Sequence, residues 1–326
     1  MYYIHNIVSY LSFEPLPQQI PASSMSLFYW NSLDIDIKFD NEESRELIDS
    51  KAKFVDNAAL APLFGANDTV SGKVTLRPRN ERRVEHSGVK VKFIGTVEQL
   101  NMGKVVDSSD FISLTHELAG PDEIRHAETY PFNFKNVDKP YESYNGSRIR
   151  LRYYVQVTAF AKIKEPVKER DIFVYHYSPP PPTSHVVSMD VGITGCLHIE
   201  FEFAKMNFTL NDTLVGRINF KMVRLKLHHM ELTLTRKEFS GAAPNLVIEQ
   251  EVVTRYEVME GAPVKGEQVP IRLHLAGFDL VPTMKDVNKK FSVRTFLSVS
   301  LVDETGRRYF KQAEINLYRP VPGTEE

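Results

Sequence analysis

The nine residues DTVSGKVTL at 68–76 return 144 residues later as DTLVGRINF at 212–220, identical at Asp, Thr and Gly and alike at most other positions. Further on, RIRLRYYVQV from 148 faces KFSVRTFLSV from 290, and Pro131 in YPFNF faces Pro270 in VPIRL, at nearly the same spacing. Three elements repeated in order at a near-constant offset predict two tandem copies of one fold. The repeat is too long and too few in number for a solenoid.

Period-two alternation says what the copies are made of. GVKVKFIGTVE (88–98) alternates Val89, Val91 and Phe93 with Lys90 and Lys92, and RIRLRYYVQVTAF (148–160) alternates Ile149, Leu151, Tyr153, Val155 and Val157 with polar neighbours. HMELTLTRKE (229–238, counted from His229) and FSVRTFLSVSLVDE (291–304) behave alike. Such runs between turn signals are half-buried antiparallel strands. Helical spacing is scarce. Residues 109–119, SDFISLTHELA, read as one short helix closed by Gly120-Pro121, or equally as a strand.

The expected fold is therefore all-β: two tandem immunoglobulin-like β-sandwiches. The boundaries read from the sequence are an N-terminal extension over 1–24, with disorder as its expected state, and a first sandwich over 25–175. A proline-rich linker follows over 176–185, then a second sandwich over 186–320 and a short tail over 321–326. Four prolines, 179–182, predict a stiff polyproline II spacer that limits motion between the sandwiches.

A net charge of −2 with no basic half gives no electrostatic case for nucleic acid. The single Cys196 excludes an internal disulfide framework and fits a reducing compartment. No apolar run approaches the length of a transmembrane helix, and MYYIHNIVSYLSF lacks the basic start of a signal peptide. The sequons at Asn67, Asn145, Asn207 and Asn211 are accordingly read as turn residues. Together these point to a cytoplasmic protein.

No constellation carries catalysis. His228 and His229 are adjacent on an expected strand, so their rings should point to opposite faces and share no metal. Cys196 and His198 would share a face, but the surrounding alternation reads as core and Cys196 as an inert buried thiol. Phosphate loops, nucleophile elbows and zinc-protease motifs are absent from the sequence. The expectation is no catalytic residue, no cofactor and no metal. In RPRNERR, Arg77, Arg79, Arg82 and Arg83 read first as a solvated loop and next as a contact for acidic membrane headgroups.

Binding surface remains, and YEVMEGAPVKG (256–266) is where it concentrates. Alternation puts Val252, Thr254, Tyr256 and Val258 on one face, and Val253, Arg255, Glu257 and Met259 on the charged, wet one. Gly261 and Gly266 permit positive φ while Pro263 fixes its own, so the loop loses little entropy on binding. The pattern leaves two readings equal: a docking site, or a plug at the sandwich end.

Residues 256–319 closely resemble the arrestin-like subunit of retromer, the vacuolar protein sorting-associated protein 26 family. So do VSGKVTLRPRNERRVEHSGVKVKFIG (70–95), DKPYESYNGSRIRLRYYVQVTA (138–159), VKERDIFV (167–174) and MDVGITGCLHIEFEF (189–203), for a match over 32–319. The resemblance implies two arrestin-type sandwiches and no enzymatic activity. It implies a subunit that binds the large α-solenoid subunit of retromer and works with sorting nexins to select cytoplasmic tails of transmembrane cargo. That work takes place at endosome membranes with indirect membrane association. It further implies that Val258, Met259, Glu260, Gly261, Ala262, Pro263, Val264 and Lys265 form the contact with the solenoid, with Val258 and Met259 central. Residues 1–24 and the PPPP run at 179–182 depart from the family pattern. The alternative reading is the arrestin-fold subunit of a sister endosomal recycling complex.

Overall fold

The computed structural model describes residues 33–49, 60–79, 83–161, 165–181, 187–241 and 244–323. The 1–24 extension, Arg82, Pro182 to His185 of the linker and residues 324–326 of the tail lie outside the described residues.

In chain order the strands of the first half are β1 (Leu33–Phe39), β2 (Leu47–Asp49), β3 (Leu60–Gly65), β4 (Val70–Pro78), β5 (Val84–His86) and β6 (Gly88–Asn101). They continue as β7 (Lys104–Ala119), β8 (Asp122–Ile124), β9 (Glu128–Phe134), β10 (Tyr144–Asn145), β11 (Ile149–Phe160) and β12 (Val167–Tyr175). The second half begins with β13 (Val187–Ile193), β14 (Leu197–Phe203), β15 (Asn207–Thr209), β16 (Thr213–Val223) and β17 (Leu227–Ser240). It ends with β18 (Val247–Glu260), β19 (Gln268–His274), β20 (Met284–Val287), β21 (Phe291–Asp303) and β22 (Arg308–Tyr318). No α-helix occurs among the described residues, and 109–119 belongs to the long strand β7. Asn145 and Asn207 are strand residues, not the expected turn residues.

The first sandwich packs the sheet β1-β4-β9 against β2-β3-β12-β11-β6-β7. The second packs β13-β14-β16-β19 against β15-β22-β21-β17-β18. In both, one short strand runs parallel to the last long one: β3 with β12, and β15 with β22. β11 buries every other side chain along its whole length, Ile149 through Ala159. Each such aliphatic or aromatic side chain contributes roughly 1.5–3 kcal/mol on leaving water.

The repeated Asp and Gly now have causes. Asp68 accepts from Gly65 N (3.1 Å) and Arg45 Nη1 (3.0 Å). Asp212 accepts from Thr209 N (2.9 Å) and Lys205 Nζ (2.6 Å). Each carboxylate therefore closes the same turn, three residues back. Gly72 and Gly216 sit on the middle strands β4 and β16, where neighbours crowd the backbone. A Cβ at Gly72 would stand 2.2 Å from Lys38 O and 2.9 Å from the Phe132 ring. At Gly216 it would stand 2.7 Å from Glu202 O and from Phe203. Gly72→Ala is expected to lose roughly 2 kcal/mol in urea unfolding, since backbone cannot yield as a side chain does. A loss under about 0.5 kcal/mol would contradict this account.

The two sandwiches share apolar and polar contacts. Met284, Val287, Phe291 and Val293 from the second half belong to the core of the first, and Tyr144 stacks on Phe291. Buried Glu142 takes a two-pronged bond from Arg319, whose guanidinium lies 3.5 Å over the Tyr175 ring.

Candidate functional site

The loop at 258–266 is built from the end of edge strand β18, which among the described residues pairs only with β17. Alternation predicts Met259 on the wet face, and the structure corrects this. Met230 pairs with Met259 but Glu231 pairs with Glu257, so Val258 is the extra residue of a β-bulge. The bulge shifts the phase by one and turns Met259 toward the core, opposite fully buried Met230. Val258 and Met259 are both half-buried and pack against the second core together with Val253 and Tyr256. The apolar side chain that stands out to solvent is Val264, 67% exposed, beside buried Pro263.

The loop is held from both ends. Gly261 N donates to His228 O (2.7 Å) and Gly266 N to Phe220 O (2.7 Å). Within it, Val264 N donates to the Glu267 carboxylate (2.8 Å) and Glu267 N to Val264 O (3.1 Å). Gly261 and Gly266 both have φ of 88°, the left-handed region expected for these glycines. Glu260, Gly261, Ala262 and Lys265 are exposed around Val264.

Beneath the loop a second correction appears. β17 carries a bulge between Leu227 and His229, so His228 and His229 do not diverge. Their Nδ1 atoms lie 2.8 Å apart, one ring donating to the other, and His229 Nε2 reaches Glu231 at 3.2 Å. Burial alone would raise the Glu231 carboxyl. The hydrogen bond from His229 and the Arg308 guanidinium at 2.9 Å instead hold it below the usual carboxylate range. Burial pushes the Tyr256 phenol up.

The remaining candidates scatter. Cys196 is exposed in the turn between β13 and β14, not buried as the alternation suggested, because the strand ends at Ile193 before it. His198 is bound to Asp190 on an exposed face. Arg79 pairs with Asp34 and Arg83 with Glu123, while Arg77 is exposed at the end of β4. No group of three or more potential metal ligands occurs among the described residues.

The family model of vacuolar protein sorting-associated protein 26 matches residues 29–306. The chain belongs to the Vps26 family. Vacuolar protein sorting-associated protein 26 of Schizosaccharomyces pombe is 44% identical over 296 residues, covering 90% of this chain and 98% of the relative. Vacuolar protein sorting-associated protein 26B of Homo sapiens is 43% identical over 298 residues, covering 90% and 88%. The same figures hold for the 26B protein of Mus musculus. Vps26 is a protein-sorting family, not an enzyme family, and in this member Val264 is the exposed apolar side chain of the 258–266 loop.

Proposed function

We propose that this chain is the arrestin-like, non-enzymatic subunit of retromer. Its 258–265 loop docks on the large α-solenoid subunit, while sorting nexins and cytoplasmic cargo tails use other faces of the sandwiches. The work is retrieval of transmembrane cargo from endosomes to the Golgi or plasma membrane by a cytoplasmic protein held peripherally at endosome membranes. The observation that carries the reading is Val264 at the apex of a pinned loop, exposed although Val258, Met259, Pro263 and Val269 around it are buried or half-buried. A loop ordered before it binds loses little freedom in binding.

The bulge divides labour within the motif. Val258 and Met259 brace the loop from below, and Val264 presents the contact. Val264→Asp is expected to weaken co-elution with the solenoid subunit by about 30-fold, the size of a hot-spot anchor near 2 kcal/mol, with no change in melting temperature. Met259→Asp should cost both binding and thermal stability, because its side chain leans on the second core. Normal binding by Val264→Asp would refute the docking loop.

A further inference from the structure

His228 is the extra residue of the β17 bulge, since Leu227 pairs with Asp303 and His229 with Val302. His228 is exposed and His229 half-buried, and their Nδ1 atoms lie 2.8 Å apart. A hydrogen bond at that distance takes a hydrogen on one Nδ1 and a bare lone pair on the other. An ionised Glu231 can only accept, so His229 Nε2, 3.2 Å from it, carries a hydrogen. In the neutral pair His228 therefore donates from Nδ1 and His229 accepts at Nδ1.

A first added proton goes to the outer Nε2 of His228 and leaves the Nδ1 bond intact, now charge-assisted. A second must enter between the two Nδ1 atoms. Each ring would then point a hydrogen at the other, and the bond is lost. The bulge that carries the rings also holds the loop: Gly261 N donates to His228 O at 2.7 Å, and Glu260 pairs with His229. The far end is pinned elsewhere, by Gly266 N on Phe220 O at 2.7 Å. The carboxylates around the pair are Glu231, Glu257, Glu260, Glu267, Asp303 and Glu304. The cations are Lys226, Arg255, Lys265, Arg307 and Arg308. Such groups ordinarily keep their charges over the histidine range, which leaves the two imidazoles as the groups that change.

We infer that His228 and His229 form a proton-operated latch on the 258–266 loop, closed while the pair holds at most one added proton and released when both rings are protonated. The released pair binds one proton more than the closed pair, so acid favours release. Like charge on two rings whose centroids lie 5.0 Å apart pushes in the same direction. A bulge is where the strand can yield, because its extra residue stands outside the ladder. When the rings part, the His228 carbonyl that receives Gly261 shifts with them, and the near end of the loop comes free while Gly266 stays pinned. The inference concerns the order of the loop and does not rest on the docking reading.

The test labels the glycines of the full chain with nitrogen-15 and follows amide hydrogen exchange, each rate divided by its intrinsic rate at that pH. Between about pH 7.5 and about pH 5 the protection of Gly261 N–H should fall about tenfold, the size of one lost hydrogen bond. Protection of Gly266 N–H should stay level over the same range. His228→Asn changes an exposed residue, puts a non-titrating amide where Nδ1 stood, and should hold Gly261 protection constant. Constant Gly261 protection in wild type, an equal fall at Gly266, or an undiminished fall in His228→Asn would each overturn the inference. Loss of Gly261 protection on adding a chelator at neutral pH would also overturn it, and would assign the pair to a metal ion.

Discussion

Glu238→Ala is expected to remove about 3 kcal/mol from the unfolding free energy, because it takes the acceptor from three donors at once. Glu238 lies on β17 of the second sandwich with 6% of its surface exposed, and its carboxylate serves the first sandwich. It accepts from Ser147 N at 2.8 Å, Ser147 Oγ at 3.2 Å and Arg148 N at 3.2 Å. Alanine would leave these donors without acceptors in a site closed by the Tyr144–Phe291 stack. The carboxylate also dictates its neighbour, because a Cβ at Gly146 would stand 2.4 Å from Glu238 Oε1. Burial, with the Glu238 charge adding to it, pushes the Tyr144 phenol up. Glu238→Gln keeps one acceptor oxygen and should lose only about half as much. Urea unfolding followed at both halves would read the outcome. A loss below about 1 kcal/mol for the alanine variant would mean that apolar contact alone holds the joint.

The phase of β17 could have shown that residue, which the alternation in HMELTLTRKE otherwise hides among polar positions. Met230, Leu232 and Leu234 share a parity that runs on through Arg236 and Glu238, so period two carries the two charges onto the buried face. Composition argues the other way, because charges are normally wet. The tandem repeat was legible for the same reason: Asp68 with Asp212 and Gly72 with Gly216 answer local demands, a turn to close and a crowded middle strand. Helix against strand at 109–119 was not decidable locally. It is settled by β6 pairing along that length and by the Phe111 ring lying over Gly95. At the candidate site the motif was found, but the roles within it were not. A bulge adds one residue and reverses every later side chain, and nothing in YEVME marks where it falls. The same blindness placed His228 and His229 on opposite faces.

Lys139→Met is the second large expected loss, roughly 3 kcal/mol at neutral pH. The Lys139 side chain is wholly buried, and its ammonium donates to Ala66 O (3.1 Å), Asp68 O (2.7 Å) and Val137 O (3.2 Å). Methionine matches the volume but leaves Asp68 O and Val137 O without that donor at the turn which Asp68 and Arg45 help to close. Burial lowers the lysine to about 8, against the opposing pull of Asp68 and Asp138. The sign follows from linkage: a depressed lysine binds its proton less readily folded than unfolded. Between about pH 8 and the ordinary lysine value the unfolded chain therefore holds more protons, and stability from this group rises with pH. Below about pH 8 both states are protonated and the penalty for burying the charge is fully present. Wild type should thus gain on Lys139→Met as pH climbs from 8 toward 10, in paired urea titrations where all other groups cancel. A gap between the two proteins that stays constant over this window would mean that the buried ammonium titrates as it does in water. In that case the three carbonyls, not burial, set its proton affinity.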